Sequence, residues 1–352
     1  MTKDSTLDPL GWNDRLAEQF GAGDDGVEPA RALEVARGFV RVRGVTGGWL
    51  APIPPALRRG SNRWPVAGPP ATGDWLAVET EGPVVGILPR RSALRRYDET
   101  AGDEVLVANP DLVLVVSSLN QDLNVGRLER LLAIAHEGDV PVVLALSKSD
   151  LRADPAGVTR EISGALGVDA LCFSARTGAG LDGLRALLRP RATAVLIGSS
   201  GVGKSTLVNT LLGSDLQRTK EIRGSDDQGR HATTSRTLLE LPGGALLVDT
   251  PGLRSPRPAG DAGLPRTFAD VFGFAAECRF ADCRHESEPG CAVRSAIDAG
   301  DLPPRRLESL RKLESELGEA AARSGPVGRS GRQVREQAAD RAYRRDGDDD
   351  HD

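Results

Sequence analysis

Residues 142–150 read VVLALSKSD, an apolar, partly β-branched run stopped by a Ser147-Lys148-Ser149-Asp150 turn. A run of that length and composition is a buried strand, and the polar turn ends it. Its neighbours repeat the pattern. LVLVVSS from Leu112 leads to RLERLLAIAHEG, VVLALS precedes a helix around 157–166, and ALCFSA precedes LDGLRALL. TAVLIG then precedes KSTLVNTLLG, and TLLELPGGALLVDTPG forms a hairpin ending in a turn. Strand and helix alternation predicts a mostly parallel sheet with helices on both faces, which binds ligands at the carboxyl ends of its strands.

Those ends carry the chemistry. Gly198-Ser199-Ser200-Gly201-Val202-Gly203-Lys204-Ser205 fits the phosphate-loop pattern between a strand and a helix. Its glycines let backbone N–H groups wrap a β-phosphate at the helix N-terminus, with Thr206 in the helix's first turn. Lys204 would neutralise β- and γ-phosphate charge, and the Ser205 hydroxyl would ligate Mg²⁺. Asp249-Thr-Pro-Gly252 follows the strand ALLV, where the carboxylate can hold Mg²⁺ and the Gly252 amide can bond a γ-phosphate. Upstream, Gly229-Arg-His-Ala-Thr-Thr234 suits a switch whose threonine closes on Mg²⁺; Thr233 and Thr234 compete, with Thr234 slightly favoured. The position after Gly252 is Leu253, which cannot orient a water, so slow intrinsic hydrolysis is expected and His231 is the candidate to supply that group.

The phosphate loop alone does not separate ATP from GTP. Asp150 can accept two hydrogen bonds from guanine N1–H and its exocyclic amine, while Lys148 lays its methylenes along the base. Ser147 stands where Asn is usual in such a turn. Ser174-Ala175-Arg176, after another short strand, matches a second base-contacting turn in which a backbone N–H meets the guanine carbonyl. The parts of a GTP site are therefore all present in the order base, base, phosphate, switch, switch. A sheet is indifferent to which strand comes first if the old termini are joined, so the expected fold is a circularly permuted α/β GTPase over 106–262.

The chain has 352 residues, net charge −5 and four cysteines, a length for two or three domains and too few thiols for a disulfide scaffold. The N-terminus has no apolar signal-like core, and no apolar run approaches a membrane span; a cytoplasmic protein without a membrane partner is expected. Residues 1–35 read as an extension of uncertain order. Short strand-like runs (GFVRVRGV, GWLAP, DWLAVE, PVVGILP) over 36–105 read as a small all-β barrel or sandwich. Whole-chain acidity hides an arginine cluster there: Arg58, Arg59, Arg63, Arg90, Arg91, Arg95 and Arg96.

Cys278-x4-Cys283-x-His285-x5-Cys291 supplies three thiolates and an imidazole, the complement of a closed structural Zn²⁺ site within a helical 263–322 domain. With no open position the ion would hold that domain together. Cys172 reads as a core thiol. Residues 323–352 are too polar to bury a core and read as a disordered charged tail.

GDWLAVE, ILPRRSALRR, RLERLL before SKSD, GSSGVGKST, GRHATT, DTPGL and FADCRHESEPGCAVRSAIDAG together resemble the ribosome small-subunit-dependent GTPase A family, RsgA or YjeQ. The likeness spans about Gly38 to Leu317. It implies an oligonucleotide-binding barrel, the permuted GTPase and a zinc domain. It further implies a monomer that binds GTP and GDP, acts late in maturation of the small subunit and its rRNA, hydrolyses faster on the subunit, and leaves afterwards. The switch histidine, here His231, has a proposed catalytic role in that family. Ser147, Ala232, the extension and the tail depart from its pattern. The competing reading is a nucleotide-gated RNA-binding module with incidental hydrolysis.

Overall fold

The computed structural model describes residues 6–21, 26–55, 57, 64–66, 68–98, 102–120, 123–213, 236–253 and 257–324. A short 3-10 turn (Asp8–Leu10) and helix α1 (Asp14–Phe20) precede five antiparallel strands. These are β1 (Val27–Ala36), β2 (Phe39–Gly44), β3 (Gly48–Pro52), β4 (Trp75–Glu79) and β5 (Val84–Ile87). β1 is the hub, pairing with β2 on one side and β4 on the other; β3 extends the first pair and β5 the second. Val40 and Val42 of β2 point inward while Phe39, Arg41 and Arg43 stay exposed, the period-two pattern of a half-buried strand. A separate hairpin, β6 (Ala93–Asp98) with β7 (Gly102–Ala108), leads out of this β-rich region.

β1 corrects one expectation. Residues 27–35 were expected to lie in an N-terminal extension, yet they form the central strand of the β region. VEPARALEVA hides this because its inward positions, Ala30 and Ala32, are small and carry no β-branched signal. The arginine cluster is also less available than it reads. Arg90 makes two 2.7 Å bonds to buried Asp74, Arg91 pairs with Asp111, and Arg96 bonds Glu104 at 2.8 Å. Arg58, Arg59 and Arg63 lie outside the described residues.

The second layer system alternates as the sequence predicts. β8 (Leu112–Ser118), α2 (Val125–Glu137), β9 (Val142–Ser147), α3 (Pro155–Leu166), β10 (Ala170–Cys172), α4 (Leu181–Leu187), β11 (Thr193–Gly198) and α5 (Lys204–Leu212) precede the hairpin β12 (Thr237–Glu240) and β13 (Leu246–Asp249). α3 starts two residues before the expected helix because the Asp154 carboxylate caps Gly157 N at 2.8 Å and Pro155 sits at the first helical position. The spatial order is β10-β9-β8-β11-β13-β12, parallel except for β12. β11, fourth of these strands in the chain, sits in the middle of the sheet between β8 and β13. That is the rewiring expected of a permuted domain.

Both faces are covered, so the strands read as continuous apolar runs. Val113, Val115, Val195 and Ile197 join Leu128, Leu131 and Leu132 of α2 on one face. Leu114, Val116, Leu196 and Leu247 join Leu184 of α4 and Leu207 of α5 on the other. The β region meets this sheet at its β12 edge, through the Glu34–Thr237 pairing and the Thr72 Oγ1 bond to Arg236 O at 2.9 Å.

Four helices complete the described chain: α6 (Leu264–Thr267), α7 (Ala269–Ala275), α8 (Ala292–Ala299) and α9 (Pro304–Ser324). They share a third core of Leu264, Phe268, Val271, Val293, Leu307 and Leu310 with Ala133 of α2. α9 runs to Ser324, two residues past the expected limit; the rest of the tail lies outside the described residues. Among the described residues no helix is long and apolar enough to cross a membrane.

Candidate GTP site and metal centre

The phosphate loop leaves β11 at Gly198. A Cβ there would lie 2.3 Å from Val116 O on the adjacent strand, so only glycine fits. Gly201 and Gly203 have φ of +78° and +98°, which turn the loop into α5. Lys204 opens that helix, and its Nζ donates to Gly198 O and Ser199 O, both at 2.8 Å, so the loop wraps its own cation. Burial lowers the Lys204 pKa, and the Asp249 carboxylate opposes that shift. A cleft of about 260 Å³ is lined by residues that include Ser200, Lys204, Ser205, Thr206, Asp249 and Gly252.

The DTPG segment is fastened to this loop. Thr250 Oγ1 donates to Leu196 O at 2.6 Å and Leu253 N to Gly198 O at 3.0 Å. A Cβ on Gly252 would lie 2.7 Å from Ser200 N, so this close approach demands glycine. Ser205 and Asp249 thus share one cleft, an oxygen pair of the hard-donor kind that Mg²⁺ takes. Leu253 is buried and presents no polar atom to a water. His231, Thr233 and Thr234 lie outside the described residues.

The SKSD turn meets the phosphate loop directly. Ser147 is buried, and its Oγ donates to Val202 O across 55 residues of sequence. Lys148 adopts the left-handed conformation, φ +59°, and its Nζ donates to Gly201 O at 3.0 Å. Ser149 N donates to Phe173 O at 3.1 Å, which brings the second turn alongside. From that turn Ser174 Oγ donates to Asp150 Oδ1, while Arg176 donates to Oδ2 from Nε at 3.1 Å and Nη2 at 2.8 Å. The Ser174 bond, then the Arg176 bond, holds the Asp150 pKa below its ordinary value. Asp150 is therefore a fixed carboxylate with acceptor capacity to spare. Ala175 lies between the two residues that position it.

The knuckle is compact. The ligating atoms of Cys278, Cys283, His285 and Cys291 all lie within 4.8 Å of one another. A tetrahedral ion with sulfur at about 2.3 Å and nitrogen at about 2.0 Å needs S···S edges of about 3.8 Å and S···N edges of about 3.5 Å. Here Cys278 and Cys291 sulfurs are 4.0 Å apart, and His285 Nδ1 is 3.6 and 3.4 Å from them. The donor set fits zinc.

Two features escaped the sequence reading. Glu288 accepts from the amides of Arg284 (2.9 Å), Glu286 (2.8 Å) and Ser287 (3.0 Å), which shapes the loop carrying His285 at φ +60°. Those amides, Arg284's first, pull its pKa down to about 2. An acid between knuckle ligands is the only trace of this in the sequence. The second is a larger cleft of about 710 Å³ beside the phosphate loop, reached by Arg127, Arg130 and Lys312.

A sequence model described as RsgA GTPase matches residues 87–258. A protein of Syntrophotalea carbinolica named small ribosomal subunit biogenesis GTPase RsgA is 41% identical over 333 residues, covering 90% of each chain. One of the same name from Streptomyces coelicolor is 44% identical over 324 residues, covering 89% of this chain and 87% of its own. The crystal structure of YjeQ from Thermotoga maritima superposes with TM-score 0.57 at 23% identity, covering 83% of this chain and 98% of that one. YloQ, described as a circularly permuted GTPase, superposes at 0.56 with 22% identity over 85% of this chain and 98% of its own.

Proposed function

The chain belongs to the RsgA GTPase family and is a GTP hydrolase, and from that premise we propose that it acts late in maturation of the small ribosomal subunit. In this reading it binds the subunit and its rRNA with GTP held, hydrolyses faster there, and is released as the GDP form. It works as a monomer in the cytoplasm, where small subunits mature. The names of its relatives support the subunit as partner. The observation that carries the GTP site is the Ser147–Val202 bond, which joins base turn to phosphate loop across the permuted sheet.

Each residue then has a role. Asp150 reads guanine N1–H and the amine, Lys148 covers the base, and Ser147, Ser149, Ser174, Ala175 and Arg176 hold that pocket. Gly198 to Thr206 cradle the phosphates, with Lys204 leaving the loop carbonyls for the β/γ oxygens. Gly252 N–H bonds the γ-phosphate. Ser205, Asp249 and Thr234 would hold Mg²⁺, which neutralises the triphosphate charge. His231 would orient the attacking water that Leu253 cannot. Cys278, Cys283, His285 and Cys291 would hold one structural Zn²⁺.

Single-turnover GTP hydrolysis with and without purified small subunits tests this. We expect clear stimulation. Binding to subunits with equal rates in both arms would favour instead the nucleotide-gated RNA-binding module that buried Leu253 permits.

A further inference from the structure

We infer that Arg127 is an arginine supplied in cis to the γ-phosphate, a catalytic residue that offsets the lost glutamine at Leu253. The inference rests on the GTPase reading above. Ser200 abuts Gly252, whose amide faces the γ-phosphate, so that contact marks the γ end of the nucleotide. The 710 Å³ cleft opens from there: Ser199, Ser200 and Leu253 form its phosphate side, and Asn124, Arg127 and Arg130 of α2 form another wall. The cleft is lined by both polar and apolar atoms, and on its phosphate side the buried Leu253 side chain has no polar atom to orient a water.

Arg127 is placed against local preference. Asn124 Oδ1 caps α2 by accepting from Arg127 N at 2.9 Å, so Arg127 stands in the first helical turn. A cation there opposes the helix dipole, and that turn has no acidic residue to compensate. Among the described residues its guanidinium has no hydrogen-bond or ion-pair partner, although it lines the cleft. Its neighbour Arg130 is committed to Glu316 of α9. A position that breaks a local rule without a structural return is where function is expected. The guanidinium's planar fork matches phosphate oxygens better than the point charge of Lys312 does.

In the step, the water oxygen forms a bond to γ-phosphorus while the bond from γ-phosphorus to the bridging oxygen breaks. The electron pair stays on the GDP β-phosphate, and the water's proton ends on inorganic phosphate. Arg127 adds no proton and takes none; it meets the negative charge gathering on the γ and bridging oxygens.

The test is Arg127→Gln and Arg127→Lys in the full chain, read by intrinsic single-turnover hydrolysis, by GDP and non-hydrolysable GTP analogue affinity, and by trapping of GDP with aluminium fluoride. We expect Arg127→Gln to lower hydrolysis by at least about tenfold and to abolish trapping, with both nucleotide affinities unchanged and Arg127→Lys partly restoring the rate. A smaller loss of rate, retained trapping, or affinity falling in parallel with rate would overturn the inference. Failure of the unsubstituted protein to bind GTP would instead sink the GTPase reading beneath it.

Discussion

At the scale of single residues, Ser147 decides how the site tolerates its departure from the usual Asn. The sequence marks the substitution as a weakness because an amide normally ties this turn to the phosphate loop. The structure shows the hydroxyl making the tie itself, to Val202 O, with Lys148 adding a second bond to Gly201 O. Removing a buried hydroxyl that satisfies a carbonyl costs about 0.5–1.5 kcal/mol, so Ser147→Ala should weaken GTP about two- to tenfold by equilibrium titration. Unchanged affinity would mean that Lys148 alone secures the turn. Asp150 makes a sharper case, since Ser174 and Arg176 hold its carboxylate ionised and aimed. Asp150→Asn puts an amide donor against the guanine exocyclic amine, where xanthine offers a carbonyl acceptor instead, so GTP affinity should fall at least about tenfold while xanthosine triphosphate gains. Retained guanine preference would remove Asp150 from the base site. The motif residues were legible because their chemistry is local; the bond across 55 residues was not, because no pattern in a single turn names its partner.

At the scale of elements, α2 is the helix whose role the sequence concealed. Its Leu spacing predicts packing on the sheet, which it does through Leu128, Leu131 and Leu132. Its other side docks the C-terminal helices. Glu129, fully buried, takes a 2.7 Å bond from Arg306, which also makes two bonds to Asp270; Arg130 pairs with Glu316. Such pairs join residues far apart in sequence, so periodicity cannot find them. His136 completes the dock. Thr267 Oγ1 donates to Gly263 O at 2.8 Å, so it accepts from His136 Nδ1 at 2.9 Å, which places that ring's proton on Nδ1. Burial, with Arg266 nearby, pushes the His136 pKa down to about 4. The unfolded chain then binds the proton more readily than the folded one between about pH 4 and 6.5. Stability from this group is therefore complete above about pH 6.5 and is lost as pH falls toward 4. Arg266, the charge that acts on His136, pairs with Asp139 at 3.6 Å. His136→Gln keeps a donor for Thr267 without the titration, so the melting temperature of the variant should fall less steeply than the parent's over that window. Parallel slopes would assign the acid sensitivity to other groups.

At the scale of the whole molecule, the side-chain bonds that tie the C-terminal unit to the sheet domain among the described residues come from α2. Sequence proximity suggests that γ-phosphate ordering would push that unit through the DTPG segment that runs into it. Among the described residues a second route runs through a helix whose first turn lines the cleft beside Ser200 and Leu253 and whose later turns carry Glu129 and His136. The third core, around Phe268, Val293, Leu307 and Leu310, takes only Ala133 from α2 and has no residue in common with the core on the α4 and α5 face of the sheet. A unit of three short helices and the longer α9 would lean on a metal held by the Cys278, Cys283, His285 and Cys291 cluster, because it buries little apolar surface alone. Cys283→Ala should therefore release the C-terminal unit first. We expect a low-temperature transition to appear ahead of the main unfolding step, GTP affinity to stay within about twofold, and binding to small subunits to be lost. The affinity arm discriminates: phosphate and base turns rest on β9, β10 and β11, whose packing residues lie outside the third core. A single shared transition in which GTP binding disappears with the knuckle would show instead that α2 makes one cooperative body of both.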